Sequence, residues 1–443
     1  MKVLLVTSSA RGHAIADALS RSAHHPEIIS VCPSRNPGIR ALATEQHVLD
    51  IMDFPAVLEV AAKVQPDFAF VGPDDPIGAG LADALENAGI RTVAPKKTLA
   101  RIEASKGFTR QLLANHDIDA SPKFSLFTGA EPELMNKYII QELGGEYVVK
   151  YDALKGGKGV KLSGEHLATV EEGVAYAMTC VEECGQVVIE EKLIGVEFSL
   201  LSFVSGLQVV DMPAVQDHKR AYEGDTGPNT GGMGTYSDSN HSLPFLTKAD
   251  IERAKEINRL TADALRKECG EDFIGILYGG FIAVKEGVRL IEYNARFGDP
   301  EALNILPLLS SDFVEICQAM LSGELTEDLV SFENKATVCK YITPQGYPEN
   351  KDQQGKTVTF PEIPSNARIF YGDITESENG TLQLGGSRTA GIVGIGNSIA
   401  EAETIAQELC EKVEGPVRFH KDIGTEALVS QRSTTMEQIR DSQ

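Results

Sequence analysis

Between residues 288 and 303 the chain reads VRLIEYNARFGDPEAL. With a strand's period of two, Glu292, Asn294 and Arg296 share one face and continue from Val288 and Leu290, so that face turns from apolar to polar along its length. A carboxylate beside a carboxamide offers hard oxygen ligands to Mg²⁺, and an arginine beyond them can hold phosphates bridged by the metal. An exposed strand with a surface ion pair has the same pattern. Leu290 and Ile291 beside Glu292 weigh against that plainer meaning.

Two more stretches bear on phosphate chemistry. YVVKYDALKGGKGV (147–160) sets Lys150 at a strand end, then Lys155, two glycines, Lys158 and Gly159. Glycines let backbone N–H groups approach phosphate oxygens while lysines supply charge, although a solvated hairpin with incidental lysines fits equally well. VVIEEKLIGVEFSL (187–200) carries Glu190, Glu191 and Glu197 around a turn that can offer backbone hydrogen bonds to a purine edge and a carboxylate to ribose hydroxyls. Paired acids between strands are more often plain surface. Neither GxGxxG nor a Walker A ending is present, and there is no nucleophile elbow or HExxH.

The segment DHKRAYEGDTGPNTGGMGTY (217–236) has five glycines, a proline and little to bury. Ordering it costs entropy with little apolar return, so it is either a linker or a loop ordered by a ligand.

The elements around these stretches suggest three units. Residues 1–100 alternate strand and helix patterns, KVLLVTSS then HAIADALSR, and DFAFVGP then GAGLADALENAG, which predicts a parallel sheet covered by helices. Ligands of such sheets bind beyond the carboxyl ends of the strands, making TSSARGH (7–13) and GPDDP (72–76) candidate site loops. Residues 101–330 mix strands and helices. A third unit, 331–428, has a hairpin at Asn379-Gly380 and a helix opening at Ser398 and Glu401. The fold class is therefore α/β and α+β multidomain, with a polar, flexible tail at 429–443.

The 443 residues carry 64 acidic and 41 basic side chains, a net charge of −23 spread along the chain. That field opposes nucleic acid and anionic membranes but not a phosphate ligand at a local basic site. Seven scattered cysteines without a CxxC pair suit reduced thiols in the cytoplasm. No apolar run approaches a membrane span, and the opening is too short for a signal peptide.

In this order the blocks resemble the ATP-grasp superfamily, and within it the phosphoribosylamine–glycine ligase (glycinamide ribonucleotide synthetase) family. QDHKR (216–220) and GDTGPNTGGMG (224–234) are the most specific; EASKGFT, VVKYDALKGGKGV, VIEEKLIGVEFS, IEYNARFGDPEA and GGSRTAGIVGIG are similar to its other blocks. The resemblance implies an N-terminal parallel α/β domain, a central ATP-grasp domain and a small C-terminal α/β domain. It also implies ligation of glycine to 5-phosphoribosylamine with ATP, through glycyl phosphate, in purine synthesis.

By the same resemblance Lys106, Lys150 and Lys158, with Gly157 and Gly159, hold phosphates. Glu292 and Asn294 bind Mg²⁺ or Mn²⁺, and Arg296 stabilises the transferring charge. Glu190 and the backbone near Leu193 meet adenine, and Glu197 the ribose. Asp217 and Lys219 stand with Arg296 as catalytic candidates in a loop that covers the site. Ser8, Arg11, His13, Asp74, Asp225, Asn229, Gly231, Gly232 and Asp299 are substrate-binding candidates. Partners are the small substrates, with room for transient contact with neighbouring purine-pathway enzymes.

The chain departs from the family's pattern mainly toward the phosphosugar. TSSARGHA (7–14) replaces a glycine-rich loop, Asp74 stands for Glu, Tyr371 for His and Lys421 for Arg. An ATP-grasp ligase using another acid or amine, or a nucleotide-binding module without turnover, are the alternatives.

Overall fold

The structure, a computed structural model, describes residues 1–153 and 159–442. Lys2–Val6 (β1), Glu27–Cys32 (β2), Glu45–Val48 (β3), Phe68–Val71 (β4) and Thr92–Val93 (β5) form a parallel sheet in the order β3-β2-β1-β4-β5. The apolar runs KVLLV and FAFV are buried because helices cover both faces. Strand order reverses between β1 and β4, so the loops leaving these two strands, with Ser8 and Asp74, flank one crevice.

Two antiparallel sheets follow. One joins Phe124–Phe127, Val187–Glu191, Tyr147–Tyr151 and Val160–Leu162 under the helix Val170–Cys184. The other joins Gln208–Asp211, Val196–Ser205, Ile274–Val284 and Gly287–Asn294, packed by the helix Lys248–Cys269. A last sheet runs through Ala336–Pro344, Ala390–Gly396 and Ala367–Tyr371. The expected hairpin appears as a separate two-stranded sheet, Ile374–Glu376 paired with Leu382–Leu384.

Three expectations change. The tail expected at 429–443 is not frayed over its described residues: Glu426–Asp441 is a helix, capped by Thr425, with Leu428 and Met436 buried and Arg440 bonded to Asp250 at 2.6 Å. Its apolar side chains recur on one face, and that face packs on the core. The segment 217–236 is ordered by protein contacts. Its ends, Gln216–Asp217 and Gly234–Ser237, join the last sheet beside Ala336–Pro344, and Arg220–Tyr222 pairs with Thr226–Asn229 between them.

The third change concerns Glu292. Phe281 pairs with Leu290 but Gly280 with Glu292, so Ile291 bulges out of the ladder. The face of Val288 and Leu290 therefore does not continue into Glu292. After the bulge Tyr293, Ala295 and Phe297 enter the core, while Glu292, Asn294 and Arg296 turn together to the other side.

Candidate functional site

A cavity of about 380 Å³ opens between these units. Arg11, Lys106, Arg110, Lys219, Arg296 and Arg388 line it against Asp74, Glu103, Asp217, Glu292, Asp299 and Glu301. In a chain of net charge −23, such a matched set of cations makes the cavity locally receptive to anions.

The Ile291 bulge builds one wall. Its freed carbonyl accepts from Lys150 at 3.0 Å and from Arg110 at 2.8 Å. Glu190 pairs with Arg110 at 2.9 Å and with Lys150. Glu190 was expected at adenine; instead it neutralises two buried cations, which would otherwise be left unpaired. Burial alone would raise the Glu190 carboxyl, but Arg110 and Lys150 hold it below its ordinary range. Arg110 was missed because its partner lies 80 residues away.

Next to the bulge, Glu292 faces Lys219 at 3.7 Å. Burial opposes its charge, yet Lys219, Lys106, Lys150 and Arg296 bring its pKa down to about 2. Asn294 Oδ1 accepts from Arg296 at 3.1 Å. An ionised carboxylate with no ion pair shorter than 3.7 Å among the described residues, beside a carboxamide oxygen, fits a hard divalent cation. Arg296 is held by Glu103, buried at 8% exposure, at 3.1 Å; Glu103 also accepts from the Ala295 N–H at 2.8 Å. Lys106 opens the helix Lys106–Asn115, whose start is fastened by Asp152 through Ser105 at 3.0 Å and Gly107 at 2.9 Å.

The opposite wall is the end of β1. Ser8 caps the helix Ser9–Ser20 with its backbone only, leaving its hydroxyl to face the cavity. Asp299 lies at this helix start, accepting from Ser9 at 2.8 Å, the Arg11 N–H at 3.2 Å and Tyr341 at 2.5 Å. Burial would raise its pKa, but Arg388 and Arg11 keep it low. Arg11 also bonds the Phe297 carbonyl at 2.8 Å and reaches Asp74 at 3.7 Å.

Arg388, from the C-terminal unit, donates to the carbonyls of Gly231, Gly232 and Asp299 at 2.8, 2.9 and 3.0 Å and stacks over Tyr341. Gly232 has φ 112°, and a Cβ there would lie 2.6 Å from Pro300 and 2.7 Å from Asp217. Only glycine lets this loop close onto the cavity. Asp217 and Lys219 project inward from it. Burial and the neighbouring Glu301 raise the Asp217 pKa well above the usual carboxylate range.

Several candidates sit elsewhere. His13 is buried away from the cavity, accepting from the Tyr371 N–H at 3.0 Å and stacking on that ring; burial lowers its pKa to about 4. It seats the C-terminal unit on the first helix. Asp225 pairs with Arg432 at the outer hairpin, and Asn229 faces Arg220 across it. Glu197 lines a smaller adjoining recess with Lys219 and Glu292, and Leu193 lies in the connector between Val187–Glu191 and Val196–Ser205. Gly159 bonds Tyr151 and Tyr176 through its carbonyl. Lys155, Gly157 and Lys158 lie outside the described residues. Glu103, Glu301, Asp152 and Arg388 were missed: each acts across more than 20 residues, and nothing local marks them.

Comparison with known proteins gives matches along the chain. The phosphoribosylglycinamide synthetase N, ATP-grasp (A) and C domain families match residues 1–103, 104–302 and 337–426. A phosphoribosylamine–glycine ligase of Methanococcus maripaludis is 46% identical, with 98% of each chain covered. One from Methanosarcina barkeri is 44% identical over 99% of this chain and 100% of its own. The crystal structure of phosphoribosylamine–glycine ligase from Thermotoga maritima superposes with a TM-score of 0.78 at 27% identity, covering 95% of this chain and 100% of that one.

Proposed function

The chain belongs to the phosphoribosylglycinamide synthetase family, an ATP-grasp ligase family, and on that premise we propose how its cavity joins glycine to 5-phosphoribosylamine at the expense of ATP. The observation that carries the proposal is the convergence of Arg11, Lys106, Lys219, Arg296 and Arg388 on one charge-balanced cavity shared by three units.

A carboxylate is a poor acyl donor because oxide would have to leave. Transfer of the ATP γ-phosphoryl group to a glycine carboxylate oxygen gives glycyl phosphate and ADP. The amine of phosphoribosylamine then attacks the carbonyl carbon, the C–O bond to phosphate breaks, and phosphate departs with one former carboxylate oxygen. Such transfer needs positioning and charge neutralisation more than covalent help.

Lys106, Arg296 and Lys219 neutralise the transferring phosphoryl group. Lys158, with the glycines at 157 and 159, extends that role along the nucleotide, Lys150 buttresses the wall behind it through Glu190 and the Ile291 carbonyl, and Leu193 and Glu197 flank its adenosine end. Glu292 and Asn294 hold Mg²⁺ or Mn²⁺, which when bound offsets phosphate charge. Ser8, Ser9 and Arg11 meet the phosphosugar through hydroxyl and guanidinium donors in place of backbone N–H groups, and the Asp74 carboxylate serves there as an acceptor. Asp217, its proton affinity raised, takes the proton released by the attacking amine. The 217–236 segment excludes water that would hydrolyse glycyl phosphate. Among the described residues no helix is long and apolar enough to cross a membrane. The seven cysteines, none in a disulfide, suit work in the cytoplasm beside other purine-pathway steps.

The test is ADP release by the purified protein with ATP, Mg²⁺ and glycine, with and without phosphoribosylamine generated in the same tube, against a panel of other amino acids. Release requiring both glycine and phosphoribosylamine supports the proposal. Release with a different acid or amine assigns the cavity to another carboxylate–amine pair.

A further inference from the structure

His218 stands between two cavity residues and faces the other way. Side chains alternate along this extended stretch, so Asp217 and Lys219 line the cavity while the imidazole, 4% exposed, is buried behind them. Its Nδ1 meets the Gly234 carbonyl at 3.1 Å and must carry the proton there. Nε2 then presents a lone pair with no hydrogen-bond partner among the described residues. Arg432, Asp225 and Asp422 act electrostatically on the ring; among the described residues the buried Arg432 Nε has no hydrogen-bond partner, and Asp422 Oδ1 lies 3.5 Å from His420 Nδ1.

Those residues belong to a tie between the hairpin 220–229 and the end of the chain. Ala221 O accepts from Arg418 and meets His420, both at 2.8 Å; the Gly224 N–H donates to Asp422 at 2.9 Å, and Asp225 pairs with Arg432. The His218 backbone is bound into the same frame. Its N–H donates to Asp217 Oδ1 at 2.8 Å, and its carbonyl accepts from Met233 at 2.7 Å. Any shift of the ring therefore moves the backbone that aims Asp217 and Lys219.

We infer that His218 is a positioning residue that couples the C-terminal tie, through Arg432 and Asp422, to the cavity side chains Asp217 and Lys219. The coupling rests on the ligase reading of those two side chains and adds to it a role for a helix far from the cavity in sequence. Nothing in this arrangement requires His218 to touch substrate.

The test compares His218→Asn, Arg432→Ala and the double variant, with Arg432→Lys as the conservative control. Asparagine keeps a donor for the Gly234 carbonyl but removes the Nε2 edge. Each single change is expected to lower kcat roughly 10- to 100-fold while KM for ATP stays within about twofold, and the double variant to be no slower than the slower single. Arg432→Lys should recover most of the rate. Losses that multiply, an unchanged kcat, or a KM for ATP that rises in step would overturn the coupling. If Arg432→Ala lacks a cooperative thermal transition, Asp225→Asn breaks the same pair from the exposed hairpin side and carries the same criteria. Lys219→Ala separates the two ideas: full activity there removes the catalytic role of Lys219 on which the coupling rests, whereas its loss beside multiplying losses at 218 and 432 removes only the coupling.

Discussion

Glu103 holds Arg296 from behind: its carboxylate forms an ion pair with the guanidinium at 3.1 Å and accepts from the Ala295 N–H at 2.8 Å, so side chain and backbone are fixed together. Removing one partner of a buried pair leaves the other charged and unsatisfied, at a cost of about 3–5 kcal/mol. Glu103→Ala should therefore lose that much stability in urea denaturation and lose kcat, while Glu103→Gln, which retains the shape, should lose less of both. A change below about 1 kcal/mol for the alanine variant would show that Arg296 is held by other means.

Glu292 predicts an acid-side signature. Its folded pKa of about 2 lies below the ordinary value of 4.5, so the carboxylate contributes stability that is complete above pH 4.5 and is lost as pH falls toward 2. The difference in unfolding free energy between the wild type and Glu292→Gln should be flat near neutrality and shrink below pH 4.5. The same variant should be folded at pH 7 and slowed by on the order of 10²-fold or more. A stability difference that stays constant from pH 6 to 3, or near-normal turnover, would contradict this account.

Arg388 gathers the carbonyls of Gly231, Gly232 and Asp299. Arg388→Ala should release the loop and lower kcat/KM for phosphoribosylamine by roughly 100-fold, with little change in KM for ATP. Equal losses for both substrates would mean that the arginine supports the fold generally and not the sugar side.

His13 should behave as a structural joint. Its folded pKa of about 4 lies below the ordinary 6.5, so the neutral form stabilises the fold above pH 6.5 and that contribution is lost as pH falls from 6.5 toward 4. Relative to His13→Asn, the wild type should lose roughly 2 kcal/mol of stability between pH 7 and pH 5. The substitution should leave KM for each substrate nearly unchanged. A large rise in KM for phosphoribosylamine would return His13 to the substrate site.

Local pattern made Glu292, Asn294 and Arg296 legible as candidate metal and phosphate contacts, because they keep a period of two at the end of one strand and just beyond it. The bulge at Ile291 was not legible. It depends on pairing with Gly280 and Phe281, which the strand's own residues do not encode. The loop 217–236 was legible as functional from its glycines, yet its order comes from Arg388, Asp422 and Arg432, about 160 to 210 residues later. The C-terminal helix was misread because Leu428 and Met436 form a thin apolar face among polar neighbours. Tyr371 and His13, 358 positions apart, were each noted in the chain, and only folding revealed that they stack.

The central claim is that this cavity activates glycine as an acyl phosphate before the amine attacks. Glycine labelled with ¹⁸O in its carboxylate, incubated with ATP, Mg²⁺ and phosphoribosylamine, reports on that step directly. The account predicts that one labelled oxygen per turnover appears in inorganic phosphate and one remains in the amide product. Phosphate free of label, in an incubation that forms product, would contradict it.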